Sequence, residues 1–514
     1  MNDATNAIEL WGGLECTVSR IGNDYRNQCT ETGFCEADLD RIAEMGIKTL
    51  RFPVLLETIA PQSFDDADWS WHDRHLGRLR ELGIRVIATL CHHGSGPTYT
   101  DLLDPGFADI LSRHARRVAE RYPWIDDFTP VNEPLTTARF SCLYGHWYPH
   151  RKDNAAFLRA LVNQCKATVL CMSEIRKLKA NARLIQTEDL GRVFSTGSLA
   201  SQARYENNRR WLSFDLLCGR VDSGHPLWNK FRKAGIGEDE LRFFQERACP
   251  PDVIGINHYL TSDRYLDHRM QLYPACHHGG NGKQDYADVE AVRCEIPGRH
   301  IGPAARLREA WQRYRLPVAI TEVHHGCTRD EQLRWLVEVW EAAIKVKREG
   351  ADIRAVTLWA LVGNMDWNTL LTQRNGFYEA GAFDKRCDPP RQTAIGRAAQ
   401  SLATTGRFDH PVLDVDGWWR RDGRHYLAPA IRTTARALRT PRKLLIAGGT
   451  GTLGQGLSRI CDHRGLPHAL VSRPDIDITD RESIRAALDV HRPWAVINAA
   501  GFVDVARAEE ETGV

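Results

Sequence analysis

Two stretches of this chain repeat one local pattern about 37 residues apart, and the repeat limits what the chain can fold into. "EMGIKTLRF" (44–52) and "ELGIRVIAT" (81–89) each read as a helix end, a glycine, an isoleucine, a basic residue and then an apolar strand. Gly46 and Gly83 suit the left-handed position that closes a helix. Between them, Leu76, Leu79 and Leu82 share one helical face. This is a βα unit, and it recurs. Residues 105–123 place Phe107, Ile110, Leu111, His114, Val118 and Tyr122 on one stripe, which Pro123 stops. His114 on that stripe reads as a core histidine. "TRDEQLRWLVEVWEAAIKVKREG" opens with a capping box, Thr328 and Glu331, and buries Leu333, Leu336, Trp340 and Ala343. Strands are expected at about 8–15, 48–53, 85–90, 127–132, 182–187, 252–257, 317–322 and 355–361. Eight alternating units predict a (β/α)8 barrel of the TIM type, with an open doubly wound sheet as the alternative.

Composition narrows the partners. The 514 residues allow two or three domains, and 68 basic against 66 acidic residues leave a net charge of +2. That balance argues against a nucleic-acid or membrane-surface protein. No run of about 18 apolar residues exists to span a membrane. "MNDATNAIEL" lacks the basic and apolar regions of a signal peptide, so the expected address is the cytoplasm. Fourteen cysteines without a CxxC pair read as free thiols. "CHHG" (91–94) and "CHHGG" (276–280) lack zinc-site spacing, so no metal is expected. Oligomeric state is open.

In a barrel of this kind chemistry collects at the C-terminal ends of the strands. In order, those ends carry Glu15; Arg51; His92 and His93; Asn132 and Glu133; Gln186 and Glu188; Asn257, His258 and Tyr259; Glu322; and Trp359, with Asn364, Asp366 and Trp367 just beyond. Almost every end is polar or aromatic. Glu133 and Glu322 converge from the fourth and seventh strands. Paired carboxylates among Asn, His, Tyr and Trp suit glycoside hydrolysis, one acid protonating the leaving oxygen and the other attacking the anomeric carbon. Arg51 and Tyr259 are placed to keep Glu322 ionised, and the nearby charge to keep Glu133 protonated. The Trp side chains offer flat apolar faces to a sugar ring.

Six motifs in order then resemble glycoside hydrolase family 1 over residues 8–403. "TPVNEP" resembles its TFNEP motif, "ITEVHHG" its ITENG, "RFPVLLE" its RFSISW, "ATLCHHG" its TLYHWD, "DVIGINHYL" its DFLGLNYYT and "VTLWALVGNMDW" its FVWSLLDNFEW. The resemblance implies Glu133 as acid/base and Glu322 as nucleophile. It also implies Asn132 on the sugar 2-hydroxyl, Tyr259 beside the nucleophile and His92 in the glycone pocket. Four departures bear on which sugar is read. Glu15 stands for a Gln, His93 for a Trp, Asp366 for a Glu, and Val-His-His-Gly follows Glu322 in place of Asn-Gly.

After about residue 404 the βα pattern stops, and 404–442 reads as a surface-packed tail and linker, Arg-rich over 430–443. "KLLIAGGTGTLGQGL" then begins a strand, a glycine turn and a helix, with Gly448, Gly451 and Gly454 spaced for a dinucleotide pyrophosphate. Residues 443–514 resemble dTDP-4-dehydrorhamnose reductase, of the extended short-chain dehydrogenase/reductase family. The resemblance implies an incomplete Rossmann-type NAD(P)-binding domain, with cofactor contacts from Gly448, Thr450, Gly451, Thr452, Leu453, Gly454, Asp477, Ile478, Ala499 and Ala500. Arg473 is placed to favour a 2′-phosphate, hence NADP, with NAD left open. No Tyr-x-x-x-Lys follows residue 443, so this region reads as part of a longer reductase and no reductase activity is expected of it. The function expected is therefore a retaining β-glycosidase, acting without a cofactor on a small glycoside, joined to a sugar-nucleotide reductase-like domain. The alternatives are a reductase-type protein whose barrel only binds sugar, and a transglycosylase using the same two glutamates.

Overall fold

All eight expected strands form. The computed structural model describes residues 8–427 and 442–501; the Arg-rich stretch expected to be linker lies mostly outside them. The barrel strands are β1 Glu9–Gly13, β2 Thr49–Pro53, β3 Arg85–Thr89, β4 Asp127–Thr129, β5 Arg183–Asp189, β6 Val253–Asn257, β7 Val318–Val323 and β8 Ile353–Leu358. Each pairs in parallel with the next. β8 returns to β1 through Glu9 opposite Ala355, and β1 meets β2 through Gly12 opposite Leu50. Closure excludes the open-sheet alternative.

Trp11, Ile87, Ile185, Val253, Ala319 and Ala355, from six strands, form one buried layer that fills the barrel interior. Trp11 shares this layer with Ala319 and Ala355, whose small side chains leave it room. The helices behave as their stripes require. Phe107–Arg121 buries Phe107, Leu111, His114 and Val118, and the His114 imidazole reaches the Val54 carbonyl at 2.7 Å, as a core histidine does. Between β5 and β6 the chain makes four short helices, Ala200–Arg209, Leu212–Leu217, Trp228–Lys233 and Glu238–Glu246. Mixed composition hid their period.

One local expectation fails. The helix Arg329–Arg348 forms, but Thr328 Oγ1 makes no hydrogen bond. The Glu331 carboxylate accepts instead from Arg334, Arg421 and the Trp418 backbone N–H. Charged donors outcompete a neutral reciprocal cap.

The chain divides into two compact units, Met1–Cys327 with Trp335–Phe408, and Thr328–Arg334 with Asp409–Val514. The second holds a three-stranded parallel sheet, with Leu444–Ala447 between His468–Val471 and Ala495–Asn498. Leu445, Ala447, Val471, Ile476 and Ala487 form part of its core. Among the described residues no helix is long and apolar enough to cross a membrane.

Truncating Ile185, 1 % exposed in the interior layer, should cost about 2–5 kcal/mol in urea unfolding followed by tryptophan fluorescence. A loss below about 1 kcal/mol would show that the layer is not close-packed.

Candidate active site

The local chemistry of Asn-Glu-Pro sets the position of Glu133. A residue before proline is disfavoured from the right-handed helical region, and Glu133 takes the left-handed one, at φ 47° and ψ 61°. Pro134 then opens the short helix Pro134–Ala138 at its first position, where a missing N–H costs nothing. His93 and Asp366 also have positive φ, 53° and 55°. Non-glycine residues held there cost roughly 1–3 kcal/mol each and gather where geometry serves function. Glu188 of β5 anchors the helix. Its carboxylate accepts the Leu135 and Thr136 N–H groups, at 2.9 and 3.2 Å, and the Thr136 and Ser213 hydroxyls. A carboxylate here satisfies orphan amides at the positive end of the helix.

Glu322 reaches the same cavity from β7. The ladder to β6 slips between Ile320 and Glu322, an irregularity of the kind that re-aims a side chain. Arg51, 1 % exposed on β2, spans the mouth. Its Nη1 donates to Glu322 Oε1 at 2.9 Å and to the Thr321 carbonyl at 2.8 Å, and its Nη2 donates to Asn132 Oδ1 at 2.8 Å. Tyr259 donates its hydroxyl to Glu322 Oε2. Glu133 accepts from Asn257 Nδ2 at 2.6 Å, and Asn257 is oriented by Thr321 Oγ1 on its own oxygen at 2.7 Å. Thr187 Oγ1 donates to Asn132 Oδ1 at 2.6 Å. The Asn132 oxygen is thus taken, which leaves its amide nitrogen to meet a ligand.

The two glutamates differ electrostatically. Burial and the Glu322 charge raise Glu133 well above the usual carboxyl range, and Asn257 offsets them only in part. Burial also raises Glu322, but Arg51 and Tyr259 pull it back. The site therefore keeps its proton on Glu133 and its charge on Glu322.

Around the pair, His92 stacks on Trp359, with ring centroids 5.3 Å apart, and the Arg51 guanidinium sits 4.8 Å from the Trp359 ring. Burial pushes His92 well down and His93 down to about 3. Both rings are neutral at physiological pH, so His93 Nε2, 3.7 Å from Glu133 Oε2, makes no ion pair. His93 Nδ1 meets Thr137 Oγ1 at 2.9 Å. The Asn132 amide nitrogen lies 3.3 Å from His92 Nε2, while His92 Nδ1 is buried without a partner. Glu15 follows β1 and contacts Trp359 Nε1 at 3.0 Å.

These residues form one connected cluster: Glu15, Arg51, His92, His93, Asn132, Glu133, Asn257, Tyr259, Glu322 and Trp359. Trp367 joins it through its ring against His93, at 5.8 Å. Asp366 is committed elsewhere. Its Oδ2 pairs with Arg26 at 2.9 Å and its Oδ1 accepts the Phe377 N–H at 2.8 Å. Sequence reasoning missed Arg26 and Trp147. Trp147 packs 5.2 Å from His93 and 6.1 Å from Trp367, ring to ring. "YGHWYPH" offered an aromatic cluster as a signal; Arg26 in "DYRN" offered none.

Residues 28–391 match Glycosyl hydrolase family 1. The chain belongs to that family. It is a glycoside hydrolase, with the family's closed eight-stranded barrel. It is 22% identical over 413 residues to β-glucosidase A of Thermotoga maritima, covering 72% of this chain and 86% of the relative. It is 29% identical over 376 residues to a β-glucosidase of Agrobacterium sp., covering 66% and 77%. The solved β-glucosidase from Thermotoga maritima in complex with cyclophellitol superposes with a TM-score of 0.63 at 17% identity, over 78% of this chain and 98% of that one. Residues 442–513 match the RmlD substrate binding domain. There the chain is 39% identical over 67 residues to dTDP-4-dehydrorhamnose reductase of Streptomyces griseus, 13% of this chain and 22% of the reductase. The chain thus spans about a fifth of that relative's length.

In that second unit the glycine turn is built for close backbone approach. A Cβ on Gly454 would lie 2.2 Å from the Gly448 carbonyl oxygen, and one on Gly448 would lie 2.7 Å from the Ala499 and Ala500 backbone. Gly451 caps the helix Thr452–Arg464. Thr450, Thr452 and Leu453 are exposed around it. Asp477 is held by Thr479, and Ile478 is 37 % exposed beside it. Arg473, 3.9 Å from Asp477, is 87 % exposed at its side chain. The turn and its free surface fit a dinucleotide phosphate.

Replacing Arg26 by Met leaves Asp366 and Glu31 without their shared cation. The expected loss is about 3–5 kcal/mol in chemical unfolding, as for any broken buried pair. A loss near zero would mean that Asp366 is free to serve a ligand.

Proposed function

We propose that the barrel is a retaining β-glycosidase acting by double displacement on a small β-glycoside. Its nucleophile is Glu322 and its acid/base is Glu133. The observation that carries this reading is the opposed environments of the two: Arg51 and Tyr259 on Glu322, and only the Asn257 amide on Glu133. Glu322 attacks the anomeric carbon while Glu133 gives its proton to the glycosidic oxygen, and the aglycone leaves as an alcohol. Glu133, now ionised, takes a proton from water as that water attacks the glycosyl ester. The sugar leaves with its configuration retained, and Glu322 is a carboxylate again. The Asn132 amide nitrogen and the unpartnered His92 Nδ1 meet glycone hydroxyls, and Trp359 and Trp367 face the ring. Glu322→Gly should be inactive and partly rescued by azide as a glycosyl azide. NMR of the first product should show the substrate's anomeric configuration. Near-normal activity in the variant, or an inverted first product, would end this reading.

The pH profile follows from the same geometry. Arg51 lowers the pKa of Glu322, so its removal raises that pKa and shrinks the ionised fraction at any given pH. In Arg51→Met the acidic limb of kcat/KM should move to higher pH by about one unit or more. An unmoved limb would show that Glu322 does not set it.

The second unit is proposed to hold NADP or NAD on the turn Gly448–Gly454, with Arg473 and Asp477 toward the ribose. Bound there, the cofactor would supply hydride to a sugar nucleotide in a complete reductase. Both units then handle sugars, consistent with a role in carbohydrate metabolism. A reducing, cytoplasmic address belongs to the same reading, supported by fourteen cysteines that are all free. Equilibrium dialysis should find NADPH bound by the full chain and not by Gly454→Val; equal retention by both would place the nucleotide elsewhere.

A further inference from the structure

Two of the buried carboxylates around the barrel mouth have a cation among the described residues. Glu322 has Arg51, and Asp366 has Arg26. Glu188 has two backbone amides and two hydroxyls at a helix start. Glu133 keeps the proton that its role requires. Glu57 and Glu15 have no ion pair among the described residues; Glu57 accepts from the Gly96 N–H at 3.1 Å, and Glu15 lies against Trp359. Glu15 is 3 % exposed, and it accepts only from the Thr17 N–H at 3.0 Å, the Thr17 hydroxyl at 2.6 Å and Trp359 Nε1 at 3.0 Å. All three donors are neutral, and among the described residues no ion pair includes Glu15.

The titratable groups around it are no help. Glu322 and Tyr259 on the barrel side, and Cys16 and Cys29 on its own side, are anionic or neutral. The one nearby cation, Arg51, is spent on Glu322, Asn132 and the Thr321 carbonyl. Burial and the Glu322 charge push Glu15 up to about 7. A carboxyl in this state lacks a cation, and a bound cation would ionise it fully. Trp359, which holds Glu15, also stacks on His92 and lies under Arg51, so Glu15 borders the cavity in which the sugar ring must sit.

We propose that the glycone recognised by this barrel carries a protonated amino group, and that Glu15 is the specificity-determining residue that pairs with it. This rests on the glycosidase reading above and names its substrate class: β-glycosides of amino sugars. The neutral donors on Glu15 hold its carboxyl in place, and the ammonium supplies the missing charge. A neutral sugar offers only hydroxyls and supplies no counter-charge to this carboxyl.

The test takes the best neutral nitrophenyl β-glycoside and its three analogues with an amino group in place of the hydroxyl at C2, C3 or C4, all at pH 7. With wild type, kcat/KM for at least one amino analogue should exceed that of the neutral compound by about tenfold or more, the scale of one charge-assisted hydrogen bond. In Glu15→Gln that amino-to-neutral ratio should fall by about tenfold or more. A wild-type preference for the neutral glycoside over all three analogues, or a ratio unchanged in Glu15→Gln, would overturn the proposal. Should Glu15→Gln fail to fold, wild type alone decides. The corresponding free amino sugars should compete with substrate about tenfold more tightly than the neutral sugar, and equal or weaker inhibition would overturn it. Failure of every glycoside to turn over would instead strike the glycosidase reading. The amino-sugar pocket would then be read by isothermal titration with the same free sugars, where tighter amino-sugar binding supports it and equal binding refutes it.

Discussion

The Arg51 guanidinium is the interaction on which the site depends. Removing a cation from water costs several kcal/mol after relaxation, and three oxygens offset that cost here: Glu322 and the Thr321 carbonyl on β7, and Asn132 after β4. One side chain from β2 thus ties two opposite parts of the barrel mouth. It also divides the labour of the two glutamates. Glu322 sits on the cation and stays charged. Glu133 receives only a neutral amide and faces that charge, so it holds its proton. A carboxylate in place of Asn132 would compete for the guanidinium, and the amide is the group that orients Arg51 without taking its charge.

Much of this was legible in the sequence. β2, β3 and β8 are short apolar runs after a helix closed by Gly46, Gly83 or Gly350, and polar residues gather at or just past most strand ends, so periodicity located both the strands and the ends where chemistry gathers. The glycine turn at Gly448–Gly454 was legible for a similar reason: no other residue fits beneath the Gly448 carbonyl. What escaped were contacts made across long separations. Arg26 and Asp366 lie 340 residues apart, and nothing local in "DYRN" or "NMDW" announces that they pair. The capping box at Thr328 misled because distant arginines claimed Glu331. Glu188 read as one more polar strand end, yet it fixes the helix that carries Glu133. Position along a strand foretells where a side chain points; it does not foretell which partner reaches it first.

The same rule governs the sugar pocket. Two carboxyls that departed from the family pattern have opposite fates. Asp366 is neutralised from within by Arg26, whereas Glu15 is held by neutral donors and left without a counter-charge. Among the described residues, then, arginines pair with Glu322 and Asp366, and Glu15 has neutral donors alone. Family membership supplies the barrel; on the proposed reading, the sugar is chosen by which of the surrounding groups the fold has already satisfied.

The central claim is that Glu322, and no other carboxylate at the mouth, forms a bond to the sugar. Incubation with a 2-deoxy-2-fluoro β-glycoside bearing a good leaving group slows breakdown of the glycosyl-enzyme enough to trap it for proteolysis and tandem mass spectrometry. The label should lie on Glu322, one sugar per chain. A label on Glu133 or Glu15, or hydrolysis of active substrate with no covalent adduct at any residue, would contradict the account.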